Sequence, residues 1–193
     1  MQCHSDADRQ AILDFARHAI LEAVIHGRIL SPFPGAAPFD ELCALFVTVH
    51  SGNKLRGCIG ILDAQRPLGE NLARCAADAV RHDPRFSSVR GEEIALLHIE
   101  VSLLSPLEPI RPEQVEIGKH GLLIEHGNRR GLLLPQVAVH HHFDREQFLS
   151  ETCGKAGLPR DAWKSPETRL FAFECEVISD AEVEREENKS PLQ

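Results

Sequence analysis

LFVTVH (residues 45–50), the turn residues Ser51, Gly52 and Asn53, and KLRGCIGIL (residues 54–62) are the stretch on which the fold turns. Two β-rich apolar runs separated by a short polar turn predict an antiparallel hairpin. Over residues 55–61 a period of two puts Leu55, Gly57, Ile59 and Ile61 on one face and Arg56, Cys58 and Gly60 on the other. The first face reads as core. On the second, same-face neighbours two apart stand about 6 to 7 Å from each other, near enough for a guanidinium to favour a thiolate where water is partly excluded. Gly57 and Gly60, costly inside a strand, predict close approach by a ligand or another backbone. The ordinary structural alternative is a buried, apolar cysteine beside glycines that allow a bend or bulge.

Outward from this hairpin the chain alternates short strands and helices without a repeat. Before it, Ile12, Phe15, Ala16, Ala19, Ala23 and Val24 form a helical stripe over residues 6–26, closed by Gly27. SPFPGAAP (residues 31–38) holds three prolines and a glycine, so it predicts a wrapped loop, with Phe33 and Phe39 to bury. After the hairpin, Leu68, Leu72, Cys75, Ala76 and Ala79 form a second helical stripe, with Pro67 at its start and Asp83-Pro84 at its end. HIEVSLLSP (residues 98–106) alternates as a strand, and LLIE, HGNRR and GLLLP (residues 122–135) read as a second hairpin. Asp144 and Gln147 form a capping box for a helix to about residue 155, stopped by Gly157-Leu158-Pro159. RLFAFECEVI (residues 169–178) predicts one late strand with Phe171, Phe173, Cys175 and Val177 on one face. The pattern predicts an α+β fold with a mixed, largely antiparallel sheet and flanking helices, as a single domain over residues 1–180. Residues 181–193 read as a frayed, charged tail.

Composition narrows the function classes. The chain has 193 residues, 42% hydrophobic and 26% charged, so it is globular in type. Its 21 basic and 29 acidic residues give a net charge of −8, which removes a global footprint for nucleic acid or acidic membrane. Eleven histidines and six cysteines raise metal and thiol chemistry. The cysteines form no C-x-x-C pair, which argues against a zinc knuckle or redox motif. MQCHSDADRQ lacks the basic start and apolar core of a signal peptide, and no run approaches the roughly 18 apolar residues of a membrane span. The expectation is therefore a cytoplasmic protein with reduced thiols. GxGxxG, the P-loop, G-x-S-x-G and H-E-x-x-H are all absent, and no cofactor is indicated. His140, His141 and His142 are successive, so their rings diverge and a shared metal ion is not predicted. His98 shares a strand face with Glu100 and Ser102, where a local hydrogen bond is expected.

KLRGCIG after FVT, HDPRF (residues 82–86), EVSLLSPLE (residues 100–108), EIGKHGLLIE (residues 116–125), GLLLPQVA (residues 131–138) and CGKAGLP (residues 153–159) together resemble the AMME syndrome candidate family. This AMMECR-type resemblance is closest to the prokaryotic branch called AmmeMemoRadiSam system protein A and covers residues 45–178. LRGCIG is its specific hallmark. The resemblance implies a curved sheet, larger and smaller subdomains, and a cleft to which LRGCIG contributes. It assigns no reaction. It implies partnership with a Memo-like, dioxygenase-type protein and with a radical SAM protein. Arg56, Gly57, Cys58 and Gly60 match the hallmark, Asp83, Arg85 and Phe86 the D-x-R-F element, and His120-Gly121 the histidine-glycine element. Gln136 sits where the family has glutamine or glutamate. The usual G-W-D is here His142, Phe143 and Asp144, which removes an indole.

Two functions follow as expectations. In an enzyme, Cys58 is the nucleophile, Arg56 favours its thiolate or holds an anionic substrate, and His120 is the general acid or base. For His120 the structural alternative is a turn histidine making local hydrogen bonds. In a non-enzymatic accessory module, Arg56, Arg81, Arg85 and Arg90 bind a small anionic ligand, with Gly57, Gly60, Asp83 and Gln136 around it, or dock a partner protein. Asp83, Glu92 and Glu93 offer the alternative of a balanced, solvated face. RNA binding ranks third, because the few aromatics fall in core patterns.

Overall fold

The computed structural model describes residues 4–31, 37–62 and 64–180. Helix α1 (Asp6–Leu21) starts at Ser5, whose hydroxyl accepts the Asp8 N–H at 3.2 Å, and Asp6 and Asp8 complement the helix dipole. Ile12, Ala16, Ala19 and Ile20 form its buried stripe. The predicted final turn is present but widened into a π-helical segment, Glu22–His26. There Arg81 donates to the Ala23 carbonyl at 2.9 Å, and Gly27 ends the helix at φ 68°. Most of the predicted SPFPGAAP loop, including Phe33, lies outside the described residues, but Phe39 does pack on Phe15, ring centroids 5.0 Å apart.

Strands β1 (Ala44–Ser51) and β2 (Lys54–Ile61) form the predicted antiparallel hairpin. Helix α2 (Leu68–Arg81) follows, burying Leu68, Leu72, Cys75, Ala76 and Ala79 as its spacing predicts. A Cβ at Gly57 would stand 2.0 Å from the Ala79 carbonyl oxygen, so only glycine lets β2 lie this close to α2. Strand β3 (Leu97–Leu104), the two-residue β4 (Glu108–Pro109), and the hairpin of β5 (Gly121–His126) and β6 (Arg129–Leu133) come next. The short helix α3 (Pro135–His140) is an element that the sequence pattern did not predict. Helix α4 (Arg145–Lys155) carries the predicted capping box: Gln147 N–H donates to Asp144 at 2.8 Å, and Asp144 N–H donates to Gln147 at 2.9 Å.

The late segment corrects the reading of one strand. It forms β7 (Arg169–Phe173) and β8 (Cys175–Ser179), which join different sheets. Glu174 is the break: its carbonyl accepts the Ser105 N–H at 3.0 Å and its own N–H donates to the Ser105 hydroxyl at 2.9 Å. Both groups leave the strand ladder, so Phe173 and Cys175 cannot continue one face. Two open, four-stranded antiparallel sheets result, β2-β1-β3-β8 and β4-β7-β5-β6, within an α+β fold.

The chain divides into two compact units. The larger holds His4–Ser102 with the chain from Val177, and its core joins Ile12, Leu45, Val47, Leu72, Ile99 and Val101. The smaller holds Leu103–Glu176, cored by Val115, Leu122, Ile124, Phe148, Leu149 and Cys153. The predicted tail, residues 181–193, lies outside the described residues. Among the described residues no helix is long and apolar enough to cross a membrane.

Candidate functional site

Strand β2 is the outer strand of its sheet, so its outward N–H and C=O groups have no neighbouring strand. At Cys58 two side chains take the place of one. The Cys58 N–H donates to Asp83 Oδ2 at 2.9 Å, and Arg85 Nη2 donates to the Cys58 carbonyl at 3.1 Å. Asp83 follows directly on the end of α2, so the helix that packs under β2 also delivers its edge cover. Arg85 closes on Asp83 through Nε at 2.9 Å and Nη2 at 2.6 Å, and its backbone N–H adds a third bond at 3.1 Å. The Arg85 guanidinium, helped by the Cys58 and Arg85 N–H groups, holds the buried Asp83 carboxyl well below the usual carboxylate range against the opposing effect of burial.

Because the Cys58 N–H and C=O point outward, Cys58 and its partner Thr48 form a non-hydrogen-bonded pair, the kind in which side chains stand closest. The Thr48 hydroxyl donates to Cys58 Sγ at 3.3 Å. Cys58 is half-buried, and with Asp83 it raises the pKa of Arg85, Asp83 being the greater influence. The Phe46 ring covers Gly60 on the same face, where a Cβ would stand 2.1 Å from it. Cys75, on α2, contrasts: burial pushes its thiol up to about 12.

Arg56 is placed differently from the expected Arg56–Cys58 pair. The register steps from Val49 opposite Gly57 to His50 opposite Leu55, which leaves Arg56 as the extra residue of a β-bulge. Its guanidinium grips Glu93 at 2.9 and 3.1 Å and the Ser87 and Ser88 carbonyls at 2.7 and 3.2 Å. None of these contacts is with Cys58. The bulge also breaks the predicted core face, leaving Leu55 exposed. The other arginines of the expected cluster are engaged too, Arg81 with the Ala23 carbonyl and Arg90 with Glu92 at 3.4 Å.

His120 belongs to the smaller unit. Its Nδ1 accepts the Glu116 N–H at 3.1 Å, and it lines a hollow of about 620 Å³ with Glu108, Glu116, Ile110, Phe173 and Glu174. Gly121 follows because a Cβ there would meet the Phe173 ring at 2.3 Å. Gln136 is half-buried in the first turn of α3, and its side chain makes no hydrogen bond among the described residues. His141 stacks on Phe143 with centroids 5.2 Å apart, and among the described residues no group of three ligands could hold a metal ion. His98 Nδ1 lies 3.9 Å from Asp180, while Ser102 reaches Glu100 at 3.5 Å. The reading from sequence missed Thr48 and the Cys58–Arg85 contact, and it passed over the carboxylates around His120.

Known proteins share this fold. The AMMECR1 family profile matches residues 13–178. A protein of Thermococcus gammatolerans is 39% identical over 193 residues, covering 94% of each chain. Protein MJ0810 of Methanocaldococcus jannaschii is 38% identical over 175 residues, covering 85% of this chain and 86% of that one. The crystal structure of uncharacterized protein PH0010 from Pyrococcus horikoshii superposes with a TM-score of 0.85 at 38% identity, covering 90% of this chain and 91% of that one.

Proposed function

This chain belongs to the AMMECR1 family, and we propose that it is a thiol-dependent enzyme whose nucleophile is Cys58. The observation that carries the reading is the Thr48 hydroxyl donating to Cys58 Sγ at 3.3 Å beside the Arg85 guanidinium. A hydroxyl donor and a cation are the two partners that suit a sulfur anion, and the thiolate is the nucleophilic form. The edge cover by Asp83 and Arg85 keeps the Cys58 backbone still, so the sulfur is presented from a rigid strand rather than a loop. In this reading Arg56 anchors the segment that carries Glu93, and Arg85 takes the activating role first expected of Arg56.

The accessory-module reading, with a Memo-like or radical SAM partner and an anionic ligand, has less support at this site. Arg56 and Arg85 already hold Glu93 and Asp83, and a new anion would have to compete with both.

Site-resolved alkylation tests the proposal. Cys43, Cys58 and Cys175 are similarly half-buried, whereas Cys75 and Cys153 are buried. With limiting iodoacetamide and mass-spectrometric readout, Cys58 is expected to label faster than Cys43 and Cys175, and far ahead of Cys75 and Cys153. Labelling of Cys58 no faster than Cys43 and Cys175 defeats the proposal, since exposure alone then accounts for it.

A further inference from the structure

We infer that the Cys58 site takes an extended peptide as its substrate, held by main-chain hydrogen bonds to one residue, Gly60. This rests on the reading of Cys58 as nucleophile and names what that thiol meets. In the β1–β2 ladder Thr48–Cys58 is a non-hydrogen-bonded pair, and pairs alternate along an antiparallel ladder, so Phe46–Gly60 is of the same kind. The Gly60 N–H and C=O therefore point away from β1, to the side where β2 has no neighbour. Asp83 and Arg85 close the equivalent groups of Cys58. Those of Gly60 form no hydrogen bond among the described residues, and Gly60 is half-buried rather than sealed. The edge is open at one residue, beside the sulfur. A donor and an acceptor on that residue match the C=O and N–H of one residue of an extended chain, as in strand addition.

Neighbours across paired strands share a face, so the side chain of a peptide residue opposite Gly60 lies on the Cys58 side of the sheet. Phe46 stands there: its ring fills the space of the side chain that Gly60 lacks, where a Cβ would be 2.1 Å from it. Phe46 is itself half-buried, so an apolar side chain of the peptide can pack on the exposed part of the ring. Asp83 and Arg85 set the limit. They occupy the edge at Cys58, so the peptide cannot pair past that point and leaves the edge about 7 Å along from Gly60. The chain that leaves there is delivered to Thr48 and Cys58 Sγ. The same cover stops a full strand from adding to β2.

Two alkylating peptides test this on the intact protein. The first is iodoacetyl-glycyl-phenylalanine methylamide, whose glycyl spacer spans the distance from Gly60 to Cys58. The second replaces the phenylalanine N–H by an ester oxygen and cannot donate to the Gly60 carbonyl. Iodoacetamide is the reagent without a peptide. The amide peptide should alkylate Cys58 with a saturating rate, and should prefer Cys58 over Cys43 about tenfold more than iodoacetamide does, the scale of two net hydrogen bonds. The ester should lose about fivefold of that preference, the scale of one. In ¹⁵N-labelled protein, the Gly60 amide should exchange with solvent about tenfold more slowly after labelling by the amide peptide than after iodoacetamide. Rapid labelling of Cys58 by iodoacetamide together with no saturation, equal preference for amide and ester, or unchanged Gly60 exchange overturns the peptide inference and leaves the nucleophile standing. Labelling of Cys58 by iodoacetamide no faster than Cys43 overturns both.

Discussion

The outer edge of β2 and the hollow at His120 use the same kinds of side chain to opposite ends. At Cys58 every charge is closed: Asp83 on Arg85, and Glu93 on Arg56. At His120 the carboxylates line an open hollow: Glu116 meets Lys119 at 3.3 Å, Glu174 has an ionic partner besides Lys119, and Glu108 faces solvent. Charges closed on each other over a strand edge fix the backbone, and their mutual hydrogen bonds offset the solvation that buried Asp83 gives up. A pair of charges bonded to itself in a motif therefore fixes the backbone whatever else it does, and here it holds Cys58.

The first way to break this contrast is at Asp83. Its side chain is 2% exposed but that of Arg85 is 52% exposed, so Asp83→Asn loses charge-assisted hydrogen bonds while water can reach the guanidinium, and should cost about 2 kcal/mol, read from urea denaturation. A cost below about 0.5 kcal/mol would show the edge cover to be ornamental. Gly57→Ala follows. Its Cβ meets backbone rather than a yielding side chain, and about 2 kcal/mol of destabilisation is expected with β2 pushed off α2.

Acid sharpens the comparison further. Asp83 is held below its unfolded value, so its contribution is fully present above the unfolded aspartate value of about 3.9 and is lost as pH falls below it. Stability measured between pH 5 and pH 2 should fall more steeply in the parent than in Asp83→Asn. Equal slopes would place the acid sensitivity elsewhere. The smallest effect is at Thr48→Val, which removes one hydroxyl from the sulfur. About 1 kcal/mol of stability or less should be lost, while Cys58 alkylation slows several-fold and Cys43 alkylation does not change.

Much of the scaffold was legible because its causes are local. The β1–β2 hairpin follows from two apolar runs and a turn, α2 from a 3.6-residue stripe, and α4 from a capping box whose partners are three residues apart. The candidate site was legible as far as Cys58, the proposed nucleophile. Its partner on β1 was not, because a register counted back from Ser51 opposite Lys54 sets Thr48 against Gly57. The bulge at Arg56 moves Thr48 to Cys58 instead. The same bulge separates Arg56 from the role that alternation predicts.

By itself, then, the sequence determined the β1–β2 hairpin, helices α1, α2 and α4, the family and the candidate thiol, since period, capping and motif are written within a few residues. The tertiary structure decided which arginine stands at Cys58, that Asp83 and Arg85 take the place of a missing strand, that the last strand breaks at Glu174, and that carboxylates gather around His120. These depend on groups that meet only after α2 has packed beneath β2, or after β7 has paired with β4 and β5. Spacing along the chain does not encode such meetings, because the ladder irregularities that set them arise only when strands pair.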